Sequence, residues 1–189
     1  MTLFLERGFM RIRKANDEVF YADEPIVRVG SPEIEFLKER AEQNERKRAR
    51  LCAHTCTDDK LHEMVIVLKK EAYIRPHKHL NKTESFHIIE GIVDVVVFDD
   101  DGRIVDVVEM GDYSTARNLY YRLSDPYYHT VLIRSDFLVF HETTDGPFDR
   151  SKSIFAPWAP EETDYTAGRE YTMRLTQEVE SFLASGKRP

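Results

Sequence analysis

The chain has 189 residues with 27 Lys+Arg against 34 Asp+Glu, a formal charge of −7. That length fits one domain with appendages, large enough to bury roughly 70% of its unfolded surface without a disulfide or metal staple. The acidic balance argues against non-specific binding to nucleic acid or an anionic membrane and favours a small, neutral or locally steered ligand.

The first fourteen residues are interrupted by Glu6, Arg7 and Arg11, and no apolar stretch approaches the roughly 20 residues of a membrane-spanning helix. Cys52 and Cys56 are too few for a secreted disulfide framework, so a cytoplasmic protein is expected. Over the first thirty residues short apolar pieces (Val19, Phe20, Tyr21; Ile26, Val27, Val29) alternate with charge, as in edge strands that need a partner. Ser31-Pro32-Glu33 supplies an N-cap, a first-turn proline and an early acid, and Ile34, Leu37 and Ala41 follow at helical spacing. The helix is expected to end in Glu45-Arg46-Lys47-Arg48-Ala49-Arg50, whose cations suit a helix C-terminus. That run reads as a solvated helix end or subunit contact before a phosphate-binding patch.

From Leu51 to Glu142 the apolar period becomes two, with runs at 64–68, 92–98 and 131–133. Turn chemistry at 57–60, 80–83 and Asp99-Asp100-Asp101-Gly102 implies antiparallel pairing, hence a sandwich or barrel. After Phe155-Ala156-Pro157-Trp158-Ala159-Pro160, Tyr171, Leu175, Val179 and Phe182 recur at helical spacing, and a terminal helix closes near Gly186. The expected organisation is an N-terminal arm and helix over 1–48, a β-barrel over 49–160 and a helical extension over 161–189.

The run Tyr73-Ile74-Arg75-Pro76-His77-Lys78-His79 reads as a strand, in which alternate side chains share a face. His77 and His79 then point the same way. After a four-residue turn Glu84 opens the returning strand and brings its carboxylate opposite the two imidazoles. A divalent cation requires such convergence, because three or four donors at about 2 Å must be held against their mutual repulsion. Composition alone gives about 0.001 occurrences of His77-x-His79-x4-Glu84-x6-Gly91 in a chain of this length, whereas a His-x-His pair by itself says little.

This pattern resembles the first motif of the cupins, jelly rolls whose mouth holds a metal. The resemblance implies a last histidine from a distant strand, and Gly111 with Pro126-Tyr127-Tyr128-His129 is similar to the second motif, which makes His129 the fourth ligand. Glu71, Ser124, Pro126 and Ile133 depart from the usual residues of the two motifs. A closer resemblance is to the WbuC family of cupin-fold metalloproteins, found in bacterial O-antigen and other surface polysaccharide gene clusters. Four stretches carry it: Arg48-Ala49-Arg50, residues 73–79, Gly146-Pro147-Phe148-Asp149, and the run from Phe155 to Glu162. It implies a mostly β fold, a cupin-type antiparallel jelly-roll barrel with an N-terminal arm and helix and a C-terminal helix. It also implies one divalent metal ion (Zn, Fe, Ni or Mn), a biosynthetic setting and a homodimer, but no established reaction.

Several neighbours are candidates for substrate contact. Arg75 shares the expected face of His77 and His79 and could meet a carboxylate or phosphate, or form a structural ion pair at the barrel mouth. Tyr127, two residues before His129, is expected to line the same cavity, with Phe86 and Tyr113 as apolar wall. Cys52, His54 and Cys56 alternate on one strand about 6.6 Å apart and cannot reach one ion together, although His54 alone could face the mouth. His87 should face away from the metal, His62 should lie on the surface near a turn, and His141 with Glu142 reads as packing or a supporting hydrogen bond.

Three functions remain open: a metal-dependent enzyme (isomerase, epimerase or hydrolase) acting on a small sugar-like or hydroxy-acid intermediate, an Fe(II)-dependent dioxygenase, and a non-catalytic metal-dependent binding or sensing module. The tetrad argues against the metal-free sugar isomerases built on jelly rolls. No nucleotide-binding or serine-hydrolase signature occurs.

Overall fold

The computed structural model describes residues 2–3 and 10–186. Two β-sheets face each other. The larger has eight strands: β1 (Thr2–Leu3), β2 (Ile12–Lys14), β3 (Val19–Ala22), β4 (Arg48–Cys52), β5 (Leu61–Lys69), β12 (Phe137–Asp145), β7 (Glu84–Glu90) and β10 (Tyr120–Leu123), in that spatial order. The smaller runs β13 (Ser153–Phe155), β6 (His77–His79), β11 (Tyr128–Ile133), β8 (Ile92–Phe98) and β9 (Ile104–Gly111). Pairing is antiparallel throughout except between β3 and β4, which join the arm to the sheet in parallel. The fold is the cupin-type jelly roll, as two packed sheets that do not close into a barrel.

Alternation sorts the side chains into three cores. Between the sheets lie Met64, Ile66, Phe86, Ile88, Phe140, Val93, Val95 and Met110. On the outer face of the larger sheet, Ala49, Leu51, Val65 and Val67 pack against Leu37 and Ala41 of α1 (Ser31–Gln43). On the outer face of the smaller sheet, Val96, Phe98, Tyr128 and Leu132 pack against Leu175 and Val179 of α2 (Tyr165–Ala184).

Gly91 joins β7 to β8 at φ 95°, and a Cβ there would lie 2.3 Å from the Phe137 carbonyl oxygen, so the motif's glycine is required by the turn. Ser31 is the first helical residue rather than the N-cap, and the Glu33 side chain caps instead, accepting from the Gly30 N–H at 2.8 Å. The basic run does not extend the helix. α1 stops at Gln43, Lys47 turns the chain at φ 57°, and Arg48–Cys52 forms β4, because Ala49 and Leu51 must face α1 while Arg50 and Cys52 face the other sheet. No helix among the described residues is long and apolar enough to cross a membrane.

Candidate metal centre

His77 and His129 lie directly opposite each other in the β6–β11 ladder, and His79 stands two residues along the short strand β6. Direct cross-strand neighbours share a face, so these imidazoles meet on the inward side of the smaller sheet. One ring nitrogen from each of His77, His79 and His129 lies within 4.8 Å of the others. Glu84 reaches them from β7 of the facing sheet, its Oε1 2.8 Å from His129 Nε2 and its Oε2 3.4 Å from His79 Nε2.

The outer nitrogens of the rings are all engaged. His77 Nδ1–H donates to the Arg75 carbonyl at 2.9 Å, His129 Nδ1–H donates to the Tyr127 carbonyl at 3.1 Å, and His79 Nδ1 is 3.1 Å from the Ser153 hydroxyl. Carbonyls only accept, so in neutral His77 and His129 the lone pair sits on Nε2, turned away from these partners. His129 Nε2 and Glu84 Oε1, although close, are both buried without a hydrogen bond of acceptable geometry. Orphaned donors of this kind, with their outer nitrogens pinned, fit a divalent metal ion.

The electrostatics agree. Burial, reinforced by His129, pushes His77 down to about 4 and keeps it neutral. Burial opposes ionisation of Glu84, but the adjacent His129 outweighs it and holds the carboxyl well below the usual range. His129 is disfavoured as a cation by burial, yet the Glu84 carboxylate raises it.

One acid in this region, read from the sequence only as packing or a supporting hydrogen bond, lies closer to the centre than that reading implied. Glu142 of β12 pairs with Phe86 of β7 and Met64 of β5, which puts it on the inner face beside Glu84. Burial and the Glu84 charge push its carboxyl up to about 7. Its direction follows from the β12 register, set by partners 56 and 78 residues away in the chain, Phe86 and Met64.

The expected substrate contacts are divided by the structure. Phe86 is on the inner face, buried against Phe140 and Tyr121 at centroid distances of 4.9 and 5.6 Å. Arg75 precedes β6 in irregular chain rather than in a strand. Its guanidinium donates to the Ala156 carbonyl at 2.9 Å, pairs with Glu161 and lies over the Phe155 ring, which is the structural ion-pair alternative. Tyr127 is 46% exposed and meets the site through its carbonyl.

β4 ends at Cys52, so His54 and Cys56 do not continue it; Cys56 is exposed while His54 is buried, its Nδ1 3.1 Å from the Glu63 carbonyl. The surface placement expected of His62 is corrected: it is 4% exposed and stacks on His54 at 4.1 Å, because β5 begins at Leu61 and turns it inward opposite Thr144. Tyr113 is fully outside, on the turn after β9, and walls nothing. His87 is exposed, as expected. Surface clefts of about 600 and 640 Å³ lie along α2 and contain none of the four converging residues.

A family model described as a domain of unknown function (DUF6016) matches residues 31–110, which include His77, His79 and Glu84 and stop short of His129. No curated protein matches the chain. Among solved structures, protein SO0799 from Shewanella oneidensis matches at a TM-score of 0.50 and 10% identity, over 68% of this chain and 85% of that one, a likeness of fold. Oxalate decarboxylase from Bacillus subtilis matches at a TM-score of 0.41 and 19% identity, over 52% of this chain and 24% of that one. Procruciferin, an 11S globulin from Brassica napus, matches at a TM-score of 0.39 and 14% identity, over 47% and 21%. This chain thus spans about a quarter or less of those two.

Proposed function

We propose that this protein is a metal-dependent enzyme acting on a small sugar-like or hydroxy-acid intermediate, with one divalent ion (Zn, Fe, Ni or Mn) held by His77, His79, His129 and Glu84. The observation that carries this reading is the shared state of the three imidazoles: each Nδ1 has its own partner, leaving Nε2 for the centre. What a bound ion supplies there is Lewis-acid polarisation of a hydroxyl or carbonyl oxygen.

The chain's own residues do the rest. Glu84 offsets positive charge at the centre, Phe86 and Phe140 keep water from the floor, and Glu142 places a second carboxyl on the same wall. The stretches resembling the WbuC family support surface polysaccharide biosynthesis as the setting, and the two unpaired cysteines support a cytoplasmic location. The same nitrogen and oxygen donors accept Fe(II), which keeps dioxygenation as the second reading.

Elemental analysis of protein purified without chelating resin, followed by a panel of polysaccharide precursors and hydroxy acids, tests the proposal. About one divalent ion per chain is expected, lost in His77→Ala and His129→Ala with the far-UV circular dichroism unchanged, together with product from the loaded protein. Metal retained in both variants contradicts the ligand assignment. Iron with O₂ uptake selects the dioxygenase, and ligand affinity without product selects the binding module.

A further inference from the structure

Arg50 lies in β4 opposite Ile66, and Cys52, two residues on, lies opposite Met64. Cys52, Met64 and Ile66 belong to the core between the sheets, while Ala49 and Leu51 point the other way, into the core under α1. Arg50 therefore leaves its strand on the inward face, where it is half-buried. Other arginines nearby are engaged: Arg48 by Glu18 and Glu162, and Arg75 by Ala156 and Glu161. Among the described residues no hydrogen bond or ion pair engages the Arg50 guanidinium.

Its charge reaches Glu18 just before β3, Cys52 and Tyr21 on its own side of the sheet, His54 beyond the end of β4, and Glu142 two strands away. Those positions run from the middle of the inner face toward the end that holds His62, Thr144 and Glu84. The guanidinium thus stands on the inner face of the larger sheet, the face that also carries Glu142 and Glu84. A half-buried guanidinium with no ion-pair partner has unused donors, and its planar fork matches a carboxylate in two parallel hydrogen bonds. Neither Glu18 nor Glu142 fills that role: Glu18 pairs with Arg46 and Arg48, and no ion pair joins either acid to Arg50.

We infer that Arg50 is the anchor for the carboxylate of the substrate, so that the site takes a small hydroxy acid, with its carboxylate on Arg50 and its hydroxyl toward the histidines, in preference to a neutral sugar. This rests on the reading of the histidine cluster as the place of chemistry. It makes Arg50, and not Arg75, the specificity-determining cation.

The test is calorimetric titration of the full-length protein, as purified, with glycolate, lactate and 3-hydroxybutyrate and with the corresponding neutral amides. Wild type should bind at least one of the acids and discriminate against its amide. Arg50→Gln should weaken that acid by about tenfold or more and leave the amide unchanged, and Arg50→Lys should recover part of the loss by keeping the charge. Equal acid affinity in wild type and Arg50→Gln, equal affinity for acid and amide, or no binding of any acid by wild type overturns the inference. Should Arg50→Gln fail to fold, Arg50→Lys decides: affinity equal to wild type with the fork removed overturns it, and weakened acid binding with unchanged amide binding supports it. Elemental analysis of the same samples reports separately on the ion: metal absent from every sample contradicts the metal reading, while an Arg50-dependent acid isotherm still supports the anchor.

Discussion

Ser153 touches the candidate centre only through the outer nitrogen of His79, at 3.1 Å. Partners of this kind orient an imidazole, and losing one typically weakens metal binding by about 10- to 100-fold. Ser153→Ala is expected to do so in a chelator-competition titration, and an unchanged affinity would show that His79 needs no such support. Glu142 gives a pH signature in metal-free protein. Burial and Glu84 raise its carboxyl from an ordinary 4.5 to about 7, so between those values the folded state holds a proton that the unfolded chain releases. Stability contributed by that proton falls as pH rises through the window, at up to about 1.4 kcal/mol per pH unit. The melting temperature of Glu142→Gln relative to wild type should therefore be higher near pH 7 than near pH 5; the same difference at both would contradict the placement. His77, His79 and Glu84 were legible in the sequence because alternation and a short turn are local rules. For Arg75 the sequence left a ligand contact and a structural ion pair both open, because its partner Glu161 lies 86 residues away and reaches it only once the segment after β13 has folded back.

The helix α2 closes the outer face of the smaller sheet, where Leu175 is 2% exposed against Phe98, Tyr128 and Leu132. That sheet also carries all three histidines, so the helix supports the site from behind. Leu175→Ala leaves a cavity in this layer and should cost about 2–5 kcal/mol in a denaturant titration. A loss below about 1 kcal/mol would mean that α2 is dispensable to the sheet. Helical spacing placed this element correctly. The same logic failed at Arg46–Arg50, where a run of cations looked like a helix terminus. In the structure Arg46 and Lys47 lie in the turn after α1 while Arg48 and Arg50 lie in β4, and Arg46 and Arg48 pair with Glu18 and Glu162, so the cations belong to a turn and a strand rather than to the end of a helix. Hydrophobic pattern over five residues is too short to separate the two, and pairing with β5 decides it.

At the scale of the molecule, two sheets bring donors from β6, β11 and β7 to one place, with a further acid from β12 on the same inner face. The arm is drawn into the larger sheet through β3, and its outer strands add edge beyond what the jelly roll needs. Such edges leave backbone groups with which another chain can pair, and we propose a homodimer; sedimentation at micromolar concentration showing only monomer would contradict it. The central claim is that His77, His79, His129 and Glu84 surround a single ion. Its most direct test is anomalous diffraction, collected above and below the absorption edge of the metal found by elemental analysis, from crystals of the protein as purified. The claim requires one anomalous peak per chain, at about 2.0–2.2 Å from the Nε2 atoms of all three histidines. A peak elsewhere, or none among these four side chains, would contradict it.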